Sequence, residues 1–284
     1  MAGLTRRPVR RLRWGRGLVL VLAGIYFAVP MIASIAFTVD IPRTGFTLSA
    51  YTGLFKAGGF GSAMLLSLEL AAATIALVLL LMLPAMTAVR LGGPRLRAVV
   101  EVVCSLPLVV PAIALAAGIT TVLKWGPDDL SATPLYQFFV AIQNPTFPVV
   151  LILAYTVMAL PFAFRALDAG LRAIDVRVLI EAARNCGAHP VRAVVSAVLP
   201  NLRGAILNTA FLTLALVLGE FTIAQLLGFT SFPVWLVNGT DVGQAQVPVA
   251  ASVLSLLVIW ALLLLVSATA DRRRGGKAKE PKPA

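Results

Sequence analysis

The chain has 284 residues, a formal net charge of +12, 59% hydrophobic residues and only 13% charged ones. Soluble domains carry about a quarter charged residues, and a single core cannot hide several apolar runs of about twenty, so an ordinary soluble protein is excluded. The basic residues flank apolar segments, which ties the charge to lipid headgroups and topology rather than to nucleic acid.

Residues 1–17 form a basic segment carrying Arg6, Arg7, Arg10, Arg11, Arg13 and Arg16. The apolar run Leu18 to Val39 that follows is too long for the core of a cleaved signal peptide, despite a weak cleavage-like match at Ala33 to Ala36, and reads as a retained helix. Five more apolar runs follow, at Ser62 to Val89, Val99 to Leu123, Phe147 to Phe164, Ala205 to Leu226 and Pro248 to Ala270. Each approaches or exceeds the length that crosses ~30 Å of hydrocarbon. The expected architecture is an all-α membrane domain over 18–270, six helices with both termini cytoplasmic, followed by a disordered basic tail at 271–284. With the N-terminus inside, all of the 24 Lys and Arg residues except Arg43, Lys56 and Lys124 fall on the cytoplasmic side. Turn formers mark the outer loops: Gly58 to Gly61, Gly126 to Asp129, and Asn144-Pro145. Pro84, Pro107, Pro111 and Pro161 lie within predicted spans, where each favours a kink. Cys104 and Cys186 both fall at or near the cytoplasmic side, where no disulfide is expected. His189 is the single histidine and no CxxC pair occurs, so neither a metal site nor a catalytic residue is expected.

The segment 165–204 is the longest inside connection and does not read as a linker. Ile174, Val178, Ala182 and Cys186 recur every four residues, and Val178, Glu181 and Ala182 share a face, which predicts an amphipathic helix. Gly187 offers a positive-φ stop, Pro190 suits the first turn of a second helix, and Leu199-Pro200 would end it. A DNA-binding helix-turn-helix is disfavoured by Asp168, Asp175 and Glu181 and by the short membrane tether.

Within this loop, Glu181-Ala182-Ala183, three residues, Gly187, nine residues, and Ala197-Val198-Leu199-Pro200 follow one another. That spacing resembles the EAA loop of type I ABC-importer permeases, with Ala197 where the family usually has Ile. The resemblance extends over about Leu106 to Trp235. It implies a cytoplasmic coupling helix between helices four and five, on which Glu181, Ala182, Ala183, Arg184, Gly187, Leu199 and Pro200 engage an ATPase. It further implies an ABC ATPase dimer that binds ATP and Mg, a second permease subunit, identical or related, and an extracytoplasmic solute-binding protein. The expected setting is the bacterial cell membrane, with lipid as surroundings and no nucleic-acid partner. The chain has no GxxxxGK[ST] phosphate loop, so no cofactor is expected in it and the energy is expected from another subunit.

Two carboxylates fall inside predicted spans: Glu69, seven residues into the second, and Glu220, near the outer end of the fifth. Intramembrane carboxylates are costly and normally face a bundle interior or a water path, so both are candidates for the translocation pathway, in one shared cavity. The alternative is that each caps a neighbouring helix. The Gly219-Glu220-Phe221 element resembles one found in permeases for polyamines and for sulfate or molybdate. The expected function is that of a permease subunit for a polyamine or another small polar solute. Iron, sulfate, molybdate or phosphonate-type substrates are the alternatives, as is an ion-gradient-driven secondary transporter. An intramembrane protease would need a base beside Ser67 or Ser105, and none is evident.

Overall fold

The computed structural model describes residues 12–41, 45–238 and 246–272. The described residues are helical apart from one short hairpin. In chain order they form α1 (Leu12–Val39), the strands β1 (Asp40–Ile41) and β2 (Gly45–Phe46), α2 (Ser49–Lys56), α3 (Phe60–Leu91), α4 (Pro94–Ser105) and α5 (Ala112–Asp129). Then come α6 (Leu135–Ile142), α7 (Val149–Arg172), α8 (Val176–Asn185), α9 (Pro190–Ala193), α10 (Arg203–Gly219), α11 (Thr222–Leu226), α12 (Phe232–Asn238) and α13 (Gln246–Arg272). The basic leader at 1–11 and most of the tail lie outside the described residues.

Two compact units result. The first contains α1, the hairpin, α2 and the 246–257 part of α13. Its hairpin is antiparallel, with Asp40 opposite Phe46 and Ile41 opposite Gly45. The buried Thr38 hydroxyl meets Tyr51 Oη at 3.0 Å and fastens α2 to the end of α1.

The second unit runs from α3 through α12 and includes the end of α13. Helices α3, α7 and α10 pack against one another at its centre. Gly170 marks the closest approach, because a Cβ there would collide with the Ala205 side chain of α10. Two apolar clusters follow along this bundle. One gathers Val78, Met82 and Met86 of α3 with Ala163, Leu167 and Leu171 of α7 and Val176 and Ile180 of α8. The other gathers Leu70 and Ala71 with Leu151, Tyr155, Val217, Ile223 and Val234.

Of the predicted spans, the first, second and fourth correspond to long apolar helices: Gly17–Val39, Phe60–Leu91 and Val149–Arg172. The fourth is longer than expected, because α7 continues past Phe164 to Arg172. The predicted third span is broken: Pro94–Leu108 and Ala112–Asp129 meet at 96°. Pro107 and Pro111 flank that break, and Pro111 caps α5 with an extended ψ of 142°. Pro84 and Pro161, by contrast, sit inside continuous helices. The predicted fifth span, Ala205 to Leu226, ends early at Gly219, and at its start the chain bends by 77° between Pro190–Asn201 and Arg203–Gly219. The sixth, Pro248 to Ala270, falls within α13, a helix of 27 residues from Gln246 to Arg272. Among the described residues, three helices are long and apolar enough to cross a membrane, or up to five if each bent pair counts as one.

The turn expected at Gly126 to Asp129 is instead the last turn of α5. Gly126 stays helical because α6 folds back over it, with Phe139 within 3.0 Å of where a Cβ would stand. The other outer turns form as expected. Gly59 caps α3 at φ +82°, and the Asn144 carboxamide accepts from Thr146 N at 2.9 Å.

Candidate functional site

The segment 173–202 folds as two short helices around a tight turn. Asp175 opens α8 by accepting from Val178 N at 3.2 Å. At its other end Gly187 adopts φ +84°. Gly187 N donates to Arg184 O at 2.8 Å and Ala188 N to Ala183 O at 3.1 Å, the paired bonds of a Schellman stop. Glycine takes this left-handed backbone without the Cβ clash other residues suffer. Pro190 then starts α9 at its first position, where a missing N–H costs nothing. The second helix passes through a π-helical stretch, Val194–Val198, and a 3-10 turn, Leu199–Asn201. Pro200 has no N–H to continue the ladder, and the chain turns into α10 just beyond it.

The inward face of α8 differs from the expected stripe. Val176 and Ile180 are buried and Leu179 and Ala183 partly so, packing with Met86, Leu171, Ala193 and Val198. Spacings of four and three keep Val176, Ile180 and Ala183 on one face. The stripe of Val178, Ala182 and Cys186 points outward instead, with Val178 58% exposed. Glu181, Ala182, Arg184 and Gly187 are exposed together with it, Ala183 and Leu199 are half-buried, and Pro200 is exposed. The result is a knob with a wet outer face, held by an apolar inner one. Burying a residue such as Ile180 contributes about 2 kcal/mol to that hold.

An ion cluster around the buried Asp168 ties the base of the knob to the bundle. Asp168 of α7 is 7% exposed, and its Oδ2 accepts from Arg97 Nη2 of α4 at 2.9 Å. The same oxygen accepts from Arg172 Nε at 2.9 Å, and Arg172 Nη2 approaches it at 2.8 Å. Arg90 of α3 donates to Leu171 O at 2.9 Å. Sequence reasoning counted these arginines only as topology signals. The i,i+4 spacing of Asp168 and Arg172 is visible in the sequence, but Arg97 is 71 residues away from Asp168 and no local pattern joins them.

The two carboxylates of the predicted spans occupy different environments. Glu220 is 8% exposed and stands at the break after α10. Its Oε1 accepts from Ile223 N at 2.9 Å and its Oε2 from Ala224 N at 3.4 Å, so the side chain caps α11. The buried Tyr155 hydroxyl lies beside this carboxylate and has no well-formed hydrogen bond. Glu69 is exposed and lines a cavity of about 510 Å³ with Ser62, Thr146 and Thr230. Glu220 is not among the residues lining that cavity. Beside it, Ser67 Oγ accepts from Phe232 N at 2.8 Å, and Trp235 Nε1 donates to Gly58 O at 3.0 Å. These bonds seat α12 against the start of α3. Among the described residues no group of three metal-ligating side chains occurs.

Long apolar helices, a helix broken at prolines and a wet helical knob clamped to them define a helical membrane transport component. Residues 81–276 match the family described as binding-protein-dependent transport system inner membrane component, and the chain belongs to that family. It is similar to the molybdenum transport system permease protein ModB of Mycobacterium tuberculosis, 30% identical over 201 residues, which are 70% of this chain and 71% of that protein. ModB of Mycobacterium bovis matches to the same extent. The chain is also similar to the probable ABC transporter permease protein y4fN of Sinorhizobium fredii, 29% identical over 174 residues. That match covers 60% of this chain and spans only 30% of y4fN. The protein is therefore an ABC-importer permease component of the inner cell membrane, multi-pass, and a transport subunit rather than an enzyme.

Proposed function

We propose that the chain is one half of a type I ABC-importer pore, six spans with both termini cytoplasmic, and that α8 with the Gly187 turn is its seat for a nucleotide-hydrolysing subunit. The observation behind this reading is the two-sided construction of the knob. Its outer face carries Glu181, Ala182 and Arg184, while its inner face is packed onto the ends of α3 and α7. Small Ala182 lets a partner helix or groove approach closely. Glu181 and Arg184 supply polar contacts at the rim. A push on the outer face reaches α7 through Val176 and Ile180, and reaches α4 through Arg97 and Asp168. ATP and Mg are held by the partner, and the free energy enters as that partner's unequal affinity for two pore states. A second permease chain completes the pathway, and an extracytoplasmic binding protein delivers the solute.

For the substrate, a tetrahedral oxyanion such as molybdate is the favoured reading. It is supported by similarity to ModB proteins, whose names state molybdenum transport. The Glu220 carboxylate is also engaged by backbone N–H groups rather than offered to a cation. A polyamine is the second reading, and it keeps one observation, the exposed Glu69 carboxylate in its cavity.

The test is uptake by the complete transporter in proteoliposomes with ATP inside or outside and with an imposed ion gradient. Uptake of labelled molybdate that requires ATP on the motor side supports the proposal. Uptake driven by the gradient alone refutes the ATP-coupled reading, and uptake of putrescine with indifference to molybdate refutes the oxyanion reading.

A further inference from the structure

A second cavity, of about 440 Å³, opens where the last turns of α3 and α7 meet the start of α8. Its polar lining is Arg90, Arg172, Asp175 and Arg177. We infer that this cavity holds the phosphate group of an anionic lipid headgroup, bracing the coupling knob against the bilayer. The inference rests on the topology proposed above, which puts these helix ends at the cytoplasmic headgroup layer.

The charge inventory favours an anion. Arg172 is already matched by Asp168 through its Nε and Nη2 atoms. Arg90 spends one N–H on Leu171 O and keeps the remaining guanidinium donors. Arg177 makes no hydrogen bond or ion pair among the described residues. Asp175 also lines the cavity, but its Oδ1 is turned to Val178 N in capping α8. Two guanidinium groups with spare donors thus face one carboxylate that is partly used. A phosphate diester fits them, since its charge and acceptor oxygens match two guanidinium forks.

A lipid fits better than free phosphate because of what adjoins the cavity. Helix α3 carries exposed Leu91 next to Arg90 and exposed Leu80 just under three turns back along the helix, apolar surface that acyl chains can cover. Basic pockets between helices on the cytoplasmic side of a membrane protein are general headgroup sites. The cavity also adjoins Ala173 and Ile174, the hinge between α7 and α8. An occupant there would restrain the angle at which the knob leaves α7.

The experiment is native mass spectrometry of the complete transporter released from vesicles of phosphatidylglycerol or of phosphatidylcholine, with wild type, R177Q and R90Q/R177Q. At roughly the energy of one surface arginine per charge removed, retained phosphatidylglycerol should fall about fivefold in R177Q and about 25-fold in the double variant. R177Q is the safer variant, since its guanidinium carries no bond that holds the fold. Equal retention of the two lipids, or phosphatidylglycerol retention unchanged in both variants, overturns the inference. So does retention of inorganic phosphate in place of phosphatidylglycerol with the same dependence on Arg90 and Arg177, which would assign the cavity to a free anion. Retention is read without ATP, so its failure is distinct from failure of the ATP-coupled reading.

Discussion

At the scale of single residues, Gly187 and Glu220 carry the sharpest consequences. Gly187 holds φ +84°, and nothing lies within 4 Å of where its Cβ would be, so a substitution there is opposed by backbone strain rather than by crowding. Gly187→Val should cost the turn about 1–2 kcal/mol and loosen the knob. The expected outcome is reduced co-purification of the ATPase with little change in the thermal stability of the bundle, measured on the same preparations. Glu220 makes a different prediction. If its task is to cap α11, Glu220→Gln keeps an acceptor and should transport nearly as wild type. Glu220→Ala should lose about 1–2 kcal/mol of stability and much of its transport. Loss of transport in Gln with Tm unchanged would show instead that the charge itself is needed.

At the scale of elements, the close approach of α7 to α10 and the Asp168 cluster hold the knob to its helices. A side chain at Gly170 must displace Ala205, so Gly170→Leu should destabilise the bundle by about 1–3 kcal/mol, read as a lower Tm in detergent. Asp168→Ala removes the closer of two carboxylates that meet Arg97, leaving Glu101 at 3.8 Å, and opens a partly buried void. The expected loss is about 2 kcal/mol, below the full range for a buried pair because Arg172 is largely exposed and screened. Asp168→Asn, which keeps one acceptor, should lie between the two, and equal Tm for all three proteins would dismiss the cluster as a tie. The knob's turn was legible in the sequence because two of its devices are local, Gly187 after the first helix and Pro190 at the next start; Asp175 before the helix is as local but was read only as an acidic residue. Which face of α8 points inward was not. Val178, Ala182 and Cys186 form as good a stripe as Val176, Ile180 and Ala183, and only packing on Met86 and Leu171 selects between them.

At the scale of the whole molecule, the long apolar runs and the charge asymmetry identified a membrane protein before any contact was known. The spans that came out as expected, Gly17–Val39, Phe60–Leu91 and Val149–Arg172, are continuous apolar helices whose signal is composition alone. The breaks have local causes: Pro107 and Pro111 flank one, and at another Glu220 accepts from the N–H groups of α11 three and four residues ahead. The short helix α12, by contrast, is kept in place by Ser67 and Gly58 far upstream, and no window of sequence contains both halves of those bonds. Glu69 lines a cavity while Glu220 caps α11, a difference that similar depth in two predicted spans does not disclose. The central claim, that force enters this chain at the outer face of α8, is tested most directly by cross-linking within the working transporter. Cysteine placed at Ala182, with Cys186 replaced by serine, should form a disulfide with a matched cysteine in the ATPase, and that bond should stop ATP-driven uptake until it is reduced. Uptake at full rate with the Ala182 position freely labelled by a bulky maleimide would contradict it.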